Sequence, residues 1–196
     1  MGIVTLVSGG LDSTLMAVLA KESDIRQSPL FVNYGQRALR RELAACRRSL
    51  RMNDLPRPSV MNVAGFGALI RSGLTDRNLH TFEDAFTPGR NLLFLLLGAA
   101  YAYEVQADAV SIGLLSEETS LFPDQTSHFI RGAESLLSEC IGHSIKILAP
   151  LMGFTKRDVL EAARKRKIKG TYSCHVGGAR PCGKCISCRE FDFGEN

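Results

Sequence analysis

Apolar runs alternate with helix-forming stretches along the first sixty residues of the chain. Runs of apolar and β-branched residues at 3–7, 29–33 and 59–63 predict three strands, with helices at 14–21 and 38–50 between them. Strands that alternate with helices in this way form parallel sheets with helices on both faces. The pattern therefore predicts an α/β fold built on a doubly wound parallel sheet.

The second half of the chain continues the alternation. It predicts strands at 109–113 and 146–148 and helices at 91–104, 129–140 and 155–165. Thr155 is the candidate N-cap of the last helix, because Asp158 follows three residues later, close to a capping box. A cysteine-rich segment begins at residue 172.

Two stretches interrupt this pattern. Residues 65–89 are polar, contain glycine and have no clean period. A connection of this length is often an active-site lid, although a mobile surface loop fits equally well. Residues 116–125 form a polar loop after a predicted strand, at the end of the sheet where open α/β proteins bind ligands.

Composition sets limits on the function. The chain has 196 residues, 45% hydrophobic and 22% charged, as expected for a globule of one domain with a small appendage. Because no apolar run is long enough to span a bilayer and no signal peptide is recognisable, we expect a cytoplasmic protein without membrane contact. The net charge is +4. Basic clusters at 37–51 and 164–169 fit either solvated helix faces or contact with nucleic acid or nucleotide phosphates.

The connection between the first strand and the first helix carries the candidate chemistry. It consists of Ser8, Gly9, Gly10, Leu11, Asp12 and Ser13. Glycines let backbone N–H groups approach an anion, and a helix N-terminus adds unpaired N–H groups and a favourable dipole. Asp12 repels phosphate, so it either caps the helix or helps to bind Mg²⁺. The arrangement predicts a phosphate-binding loop, and a tight turn with helix capping is the simpler alternative.

This loop resembles the pyrophosphate loop of the N-type ATP pyrophosphatases. The resemblance implies a Rossmann-like nucleotide-binding domain at 1–170 that uses ATP and Mg²⁺. It also implies adenylation of a substrate oxygen, which releases pyrophosphate, before a nucleophile displaces AMP. The remaining residues, 171–196, are expected to form a metal-binding appendage.

Three further motifs narrow the resemblance, in an order and spacing that cover almost the whole chain. They lie at 32–37, 87–91 and 172–188 and read Val-Asn-Tyr-Gly-Gln-Arg, Thr-Pro-Gly-Arg-Asn and Tyr-Ser-Cys followed by Cys-Gly-Lys-Cys-Ile-Ser-Cys. Together they resemble the 7-cyano-7-deazaguanine synthases. The resemblance implies adenylation of 7-carboxy-7-deazaguanine, attack by ammonia to give the amide and then the nitrile, and a place in queuosine biosynthesis.

The resemblance also implies roles for single residues. Tyr34 and Gln36 would contact the nucleotide, although an ordinary turn also accounts for their motif. Gly89 and Asn91 would help to bind the nucleotide cofactor. Between them lies Arg90, whose guanidinium is out of place near a helix N-terminus unless it binds an anion. Lys156 would contact a phosphate. Asp12, Arg90 and Lys156 are thus the candidate catalytic residues.

Four cysteines fall within fifteen residues, which in a reducing compartment indicates metal binding. They are Cys174, Cys182, Cys185 and Cys188. Four thiolates suit a closed, structural Zn²⁺ site. An iron–sulfur cluster is the alternative, and the adjacent His175 could replace Cys174 as a ligand.

The loop at 117–126 departs from the synthase pattern Ser-Gly-Tyr-Pro-Asp-Cys-Arg. Leu121, Gln125 and Thr126 stand where the pattern has Gly, Cys and Arg. The altered loop leaves open a divergent enzyme that stops at the amide or joins the deazaguanine to another amine, such as the N-terminus of a partner protein.

Two other functions fit parts of the sequence. A tRNA-thiolating pyrophosphatase would need a reactive thiol, for which Cys46 and Cys140 are the spare candidates. A non-catalytic nucleotide- or nucleic-acid-binding module would use the metal site and the basic helices. The apolar helix at 91–104 is also the candidate seam of a homodimer.

Overall fold

The computed structural model describes residues 2–192, apart from the side chains of Thr119 and Asp192. Its core is a five-stranded parallel sheet with the order β3-β2-β1-β4-β5. The strands are β1 (Gly2–Leu6), β2 (Arg26–Asn33), β3 (Ser59–Asn62), β4 (Ala109–Ser111) and β5 (Lys146–Leu148). Central Val4 pairs with Ser28 on one side and Val110 on the other. The doubly wound parallel sheet predicted from the sequence is confirmed.

Helices cover both faces of the sheet. They are α1 (Leu11–Glu22), α2 (Leu39–Met52), α3 (Gly65–Leu69), α4 (Arg90–Glu104), α5 (Ser127–Ile141), α6 (Lys156–Lys165) and α7 (Ile186–Asp192). The largest apolar cluster joins β1, β2 and β4 to α4 and α5 on one face. Two further clusters involve α1, α2 and α6 on the other. Within the described part of the chain, none of the helices is long and apolar enough to cross a membrane.

The ends of most predicted helices and strands lie within three residues of the observed ends. The remaining differences concern the loops and the C-terminal segment. The first helix begins at Leu11 and not at 14, so half of the candidate loop lies in the first turn of α1. The stretch at 65–89 contains α3 and turns. The loop at 116–125 contains two 3₁₀ turns, at Glu117–Thr119 and Pro123–Gln125. Helix α7 is absent from the sequence prediction.

The C-terminal segment packs against the sheet domain. The Tyr172 N–H donates to Gly9 O at 2.9 Å, and Ile186 forms a small apolar cluster with Leu74 and Ala85 of the 65–89 stretch. The division into domains at residue 170 stays a prediction, and the last four residues of the predicted appendage lie outside the described part of the chain.

Candidate active site

A cleft of about 290 Å³ opens at the carboxyl ends of β1, β2 and β4. Of the sequence-predicted site residues, eight line it: Ser8, Gly10, Asp12, Ser13, Tyr34, Gln36, Arg90 and Asn91. The C-terminal segment contributes Tyr172, Ser173, His175, Ile186, Ser187 and Glu190. The cleft therefore joins residues as far apart in the chain as Ser8 and Glu190.

Hydroxyl groups hold the strand-to-helix loop in shape. The Ser8 and Ser13 hydroxyls lie 3.1 Å apart, and the Ser8 N–H donates to Ser13 Oγ at 3.1 Å. The Gly10 N–H donates to Ser8 Oγ at 3.2 Å. Gly10 is the N-cap of α1 and receives no side-chain cap. The start of α1, with its favourable dipole, thus faces the cleft, as an anion site requires.

Gly9 lets the loop contact α2 closely. Its φ is +85°, and a Cβ at this position would lie 2.5 Å from Cys46 N and 2.6 Å from Glu42 O. Only glycine fits this backbone without a shift of α2. Leu11 points the other way and packs in the core with Leu15 and Leu151.

Asp12 and Lys156 form an ion pair across the cleft wall. The Lys156 ammonium donates to both carboxylate oxygens of Asp12, at 2.8 and 3.0 Å, and lies 3.3 Å from Glu190 Oε2. Burial opposes the charged form of Lys156, but the carboxylates of Asp12 and Glu190 outweigh it and raise the Lys156 pKa. Asp12 does not cap α1 through its side chain. One cation thus pairs with two carboxylates beside the loop.

Arg90 is the first residue of α4 and follows Gly89, which caps the helix with φ +73°. The Arg90 Nε is buried and has no hydrogen-bond partner among the described residues. Its guanidinium carbon lies 5.9 Å from the ring centres of Tyr34 and Phe94. A buried, incompletely satisfied guanidinium at a helix N-terminus is suited to an anionic ligand.

Tyr34 and Gln36 shape the cleft through the backbone. Gln36 Oε1 accepts from the Tyr34 N–H at 3.0 Å, and its Nε2 donates to Val32 O at 3.2 Å. Burial raises the pKa of Tyr34 to about 12, so its phenol stays protonated at neutral pH. Direct contact of Tyr34 and Gln36 with a nucleotide stays a prediction.

The altered loop at 117–126 forms one wall of the cleft. Gln125 Oε1 accepts from the Leu121 and Phe122 N–H groups, both at 3.0 Å. The Phe122 ring lies 5.2 Å from the Phe86 ring. The Asn91 side chain donates to Asp124 O at 3.1 Å, which ties the loop to the start of α4.

Glu42 is a cleft residue that the sequence analysis did not identify as part of the site. It lines the cleft from α2. Burial raises its pKa to about 7, and the neighbouring Gln36 amide and Arg90 charge offset only part of that rise. The buried residues of α2 are Ala45, Cys46, Ser49 and Leu50. Glu42 precedes them by three, four, seven and eight positions, so a carboxylate on the buried face of an amphipathic helix was the available signal. Ser187 and Glu190 gave no comparable signal.

The four cysteines of the C-terminal segment form one cluster. Their sulfur atoms all lie within 4.8 Å of one another, with 3.9 Å between Cys182 and Cys188. Tetrahedral Zn–S bonds of about 2.3 Å place sulfurs about 3.8 Å apart, so the donor set fits such a metal. His175 lies outside the cluster and lines the cleft, where burial lowers its pKa to about 4.

The parallel sheet and the loop at its carboxyl edge define an α/β protein of the pyrophosphate-loop class. The fold is shared with a 4-thiouridine synthetase in complex with RNA and ATP (TM-score 0.53, 17% identity, covering 99% of this chain and 49% of that one). It is also shared with the NMN synthetase of Francisella tularensis (TM-score 0.53, 17% identity, 93% and 70%). The sequence model described as Queuosine biosynthesis protein QueC matches residues 2–194, and the chain belongs to this family.

Curated relatives agree with this assignment. The 7-cyano-7-deazaguanine synthase of Nautilia profundicola is 32% identical over 198 residues, covering 95% of this chain and 89% of its own length. 7-Cyano-7-deazaguanine synthase 1 of Desulfitobacterium hafniense is 30% identical and covers 96% of this chain and 88% of its own length. The synthase of Methanothermobacter thermautotrophicus is 31% identical and covers 96% of this chain and 91% of its own length. The resemblance inferred from the motifs is confirmed.

Proposed function

We propose that this chain adenylates 7-carboxy-7-deazaguanine with ATP and then adds ammonia, forming the amide and, after a second activation, the nitrile. The observation that carries the proposal is the single cleft in which the phosphate-type loop faces the incompletely satisfied Arg90. The names of the curated relatives support the same reaction. AMP and pyrophosphate are the expected by-products.

Residues at the loop would bind the triphosphate. The N–H groups at the start of α1 and the Ser8 and Ser13 hydroxyls would donate to it, and Lys156 would add positive charge. Mg²⁺ would be bound by Asp12 and the phosphates, since carboxylate and phosphate oxygens are its usual ligands. For Asp12 to bind the ion, its pairing with Lys156 must loosen when the nucleotide enters.

Arg90 would bind the carboxylate of the substrate or the developing adenylate. Its charge lies beside Tyr34 and Phe94, in a partly desolvated position where electrostatic stabilisation is strongest. The Phe122 and Gln125 wall would contact the deazaguanine ring. Catalysis then rests on positioning and charge, without a covalent enzyme intermediate.

The cysteine cluster would bind one Zn²⁺ with a structural role. Four thiolates leave no coordination position for a substrate. The four cysteines are free and form no disulfide among the described residues, which fits a cytoplasmic location.

The spare thiols do not favour thiolation of tRNA. Cys46 lies in α2, where it is buried next to Gly9, and burial raises the pKa of its thiol to about 12. Cys140 is exposed near the end of α5, and it does not line the cleft. A sulfur carrier needs an accessible thiolate.

We further propose a homodimer. Exposed apolar side chains lie on α4 and α5, with Leu96 38%, Tyr103 63% and Leu136 54% exposed. Light scattering during size-exclusion chromatography should give twice the mass of the 21.4 kDa chain. A Tyr103→Glu variant should shift toward the monomer, and a monomeric wild type would refute the proposal.

The reaction is tested by incubating the protein with Mg-ATP and 7-carboxy-7-deazaguanine, with and without ammonium. AMP, pyrophosphate and the base product are quantified by mass spectrometry. Substrate-dependent AMP with the free nitrile is the expected result. A reaction that stops at the amide, or a protein whose mass increases by that of the deazaguanine, would show that the enzyme with the altered loop makes a different product. Absence of substrate-dependent AMP would refute the proposed substrate.

A further inference from the structure

Three carboxylates line the cleft, and they differ in their charge partners. Asp12 and Glu190 both pair with Lys156, at 2.8 and 3.3 Å. Glu42, in contrast, has no ion pair within 4 Å among the residues that the structure describes. It is thus the lining carboxylate whose charge is left for a ligand.

Glu42 lies next to the phosphate-type loop. Its backbone carbonyl is so close to Gly9 that a Cβ at Gly9 would lie 2.6 Å from Glu42 O. Four side chains interact electrostatically with the carboxylate: Arg90 from α4, Tyr34 and Gln36 from the turn after β2, and Tyr172 from the C-terminal segment. Arg90 is suited to the anionic substrate, which leaves Glu42 as the group beside it that attracts a cation.

The nitrogen source of the proposed reaction reaches the cleft as a cation. At neutral pH ammonia is almost entirely ammonium, which has no lone pair and cannot attack a carbonyl carbon. We propose that Glu42 binds ammonium, or another small protonated amine, beside the adenylate and accepts the proton that makes it a nucleophile. This inference rests on the proposed function and adds the amine site to it.

Attack of the amine on the adenylate forms one C–N bond and breaks an N–H bond and the C–O bond to AMP. An N–H bond of ammonium breaks, its proton bonds to a Glu42 carboxylate oxygen, and the freed lone pair forms the C–N bond to the acyl carbon. The C–O bond to AMP then breaks, and its electron pair leaves with the phosphate. The nitrogen loses a second proton to that phosphate, and Glu42 returns its own to water through the open cleft.

The acid–base properties of Glu42 suit this role. Burial raises its pKa to about 7, near the pH at which a general base is most effective. The carboxylate form, which binds ammonium, is lost as the pH falls below 7.

Glu42→Gln is the test variant, with two nucleophiles compared at pH 7.5. Hydroxylamine is mostly uncharged at this pH and needs no deprotonation before it attacks. With ammonium, kcat/KM for the amine should fall about 100-fold. With hydroxylamine, the rate of hydroxamate formation should stay within about threefold of wild type, because loss of a group that deprotonates the nucleophile does not affect a nucleophile that is already neutral. Equal losses with both nucleophiles, or no loss with ammonium, would overturn the inference.

Two controls distinguish loss of the amine site from a general effect of the substitution and from failure of the adenylation step. Glu139→Gln, at an exposed position on α5, should behave as wild type. Substrate-dependent release of pyrophosphate by the wild type tests the proposed function itself, since adenylation precedes the amine.

A binding measurement needs no turnover. With a non-hydrolysable ATP analogue present, ammonium chloride should raise the wild-type Tm by about 1–2 °C relative to tetramethylammonium chloride at equal ionic strength. Glu42→Gln should show no such difference. If ammonium fails to stabilise the wild type, or stabilises the variant equally, Glu42 does not bind the amine, whatever the outcome with the deazaguanine.

Discussion

Single residues in the loop are constrained by contacts that a linear motif does not display. Gly9 is the clearest case, because its positive φ and its contact with α2 both exclude a side chain. From the motif, this glycine was predicted to let an anion approach the backbone N–H groups. The structure adds that this glycine also permits the helix behind the loop to approach.

Gly9→Ala should therefore destabilise the protein by about 2–4 kcal/mol, since strain at positive φ adds to the clash with Cys46 and Glu42. Urea unfolding followed by circular dichroism measures the change. Gly132→Ala is the control, because an added Cβ there meets no atom within 4 Å. Equal stability of the Gly9 variant and wild type would show that α2 moves aside freely.

Glu42 should also make stability depend on pH. Its pKa is about 7 in the folded protein against an ordinary value of 4.5. Between these values the folded state binds the proton more tightly than the unfolded state, so stability falls as the pH rises from about 4.5 to 7. The expected loss is about 1–3 kcal/mol relative to Glu42→Gln. Urea unfolding of both proteins at several pH values measures it, and parallel curves would contradict the raised pKa.

Residue contacts over long sequence distances could not be predicted. Lys156 and Asp12 were each identified as candidate site residues, but their pairing joins positions 144 apart. The sequence contains each charge without the fold that brings them together. Glu190 was missed for the same reason, as its role follows from where α7 packs.

At the level of elements, hydrophobic patterning predicted most of the sheet and its helices. Strand β5 was predicted with its observed bounds, because a short apolar run between two helix-forming stretches is typical of a buried parallel strand. Helix α7 was missed. Its residues overlap the cysteine motif, so metal-ligand spacing obscured the helical period.

The start of α6 is a testable element. The predicted capping box is present: the Thr155 N–H donates to Asp158 Oδ2 at 2.8 Å, and the Asp158 N–H donates to Thr155 Oγ1 at 3.3 Å. Thr155→Ala should cost about 1 kcal/mol, or a Tm decrease of about 2–4 °C. Because Lys156 is the next residue, nucleotide affinity should fall as well. Thr155→Ser preserves the cap and should restore both; failure to restore them would assign the effect to the lost methyl group.

At the level of the whole molecule, the cysteine cluster supports the cleft. The segment that carries it donates from Tyr172 to Gly9 and supplies Ser187 and Glu190 to the cleft wall. A metal bound by the four cysteines would therefore affect the shape of the cleft, although it would lie outside it.

Removal of the metal should weaken nucleotide binding together with stability. Cys182→Ser should lower the zinc content, measured by plasma mass spectrometry, and reduce the affinity for a non-hydrolysable ATP analogue about tenfold, measured by calorimetry. Cys140→Ser, outside the cluster, should leave both the zinc content and the nucleotide affinity at the wild-type values. Unchanged nucleotide affinity in a zinc-free variant would show that the cysteine cluster does not affect nucleotide binding.

The hydrogen bond from Tyr172 to Gly9 also has a consequence for biosynthesis on the ribosome. The loop at residues 8–13 is translated some 160 residues before Tyr172, which belongs to the wall that completes its cleft. At about 5–20 residues per second, this interval lasts roughly 10–30 seconds. During that time the cleft of the nascent chain lacks one wall, which is in place only when the cysteine segment has left the exit tunnel.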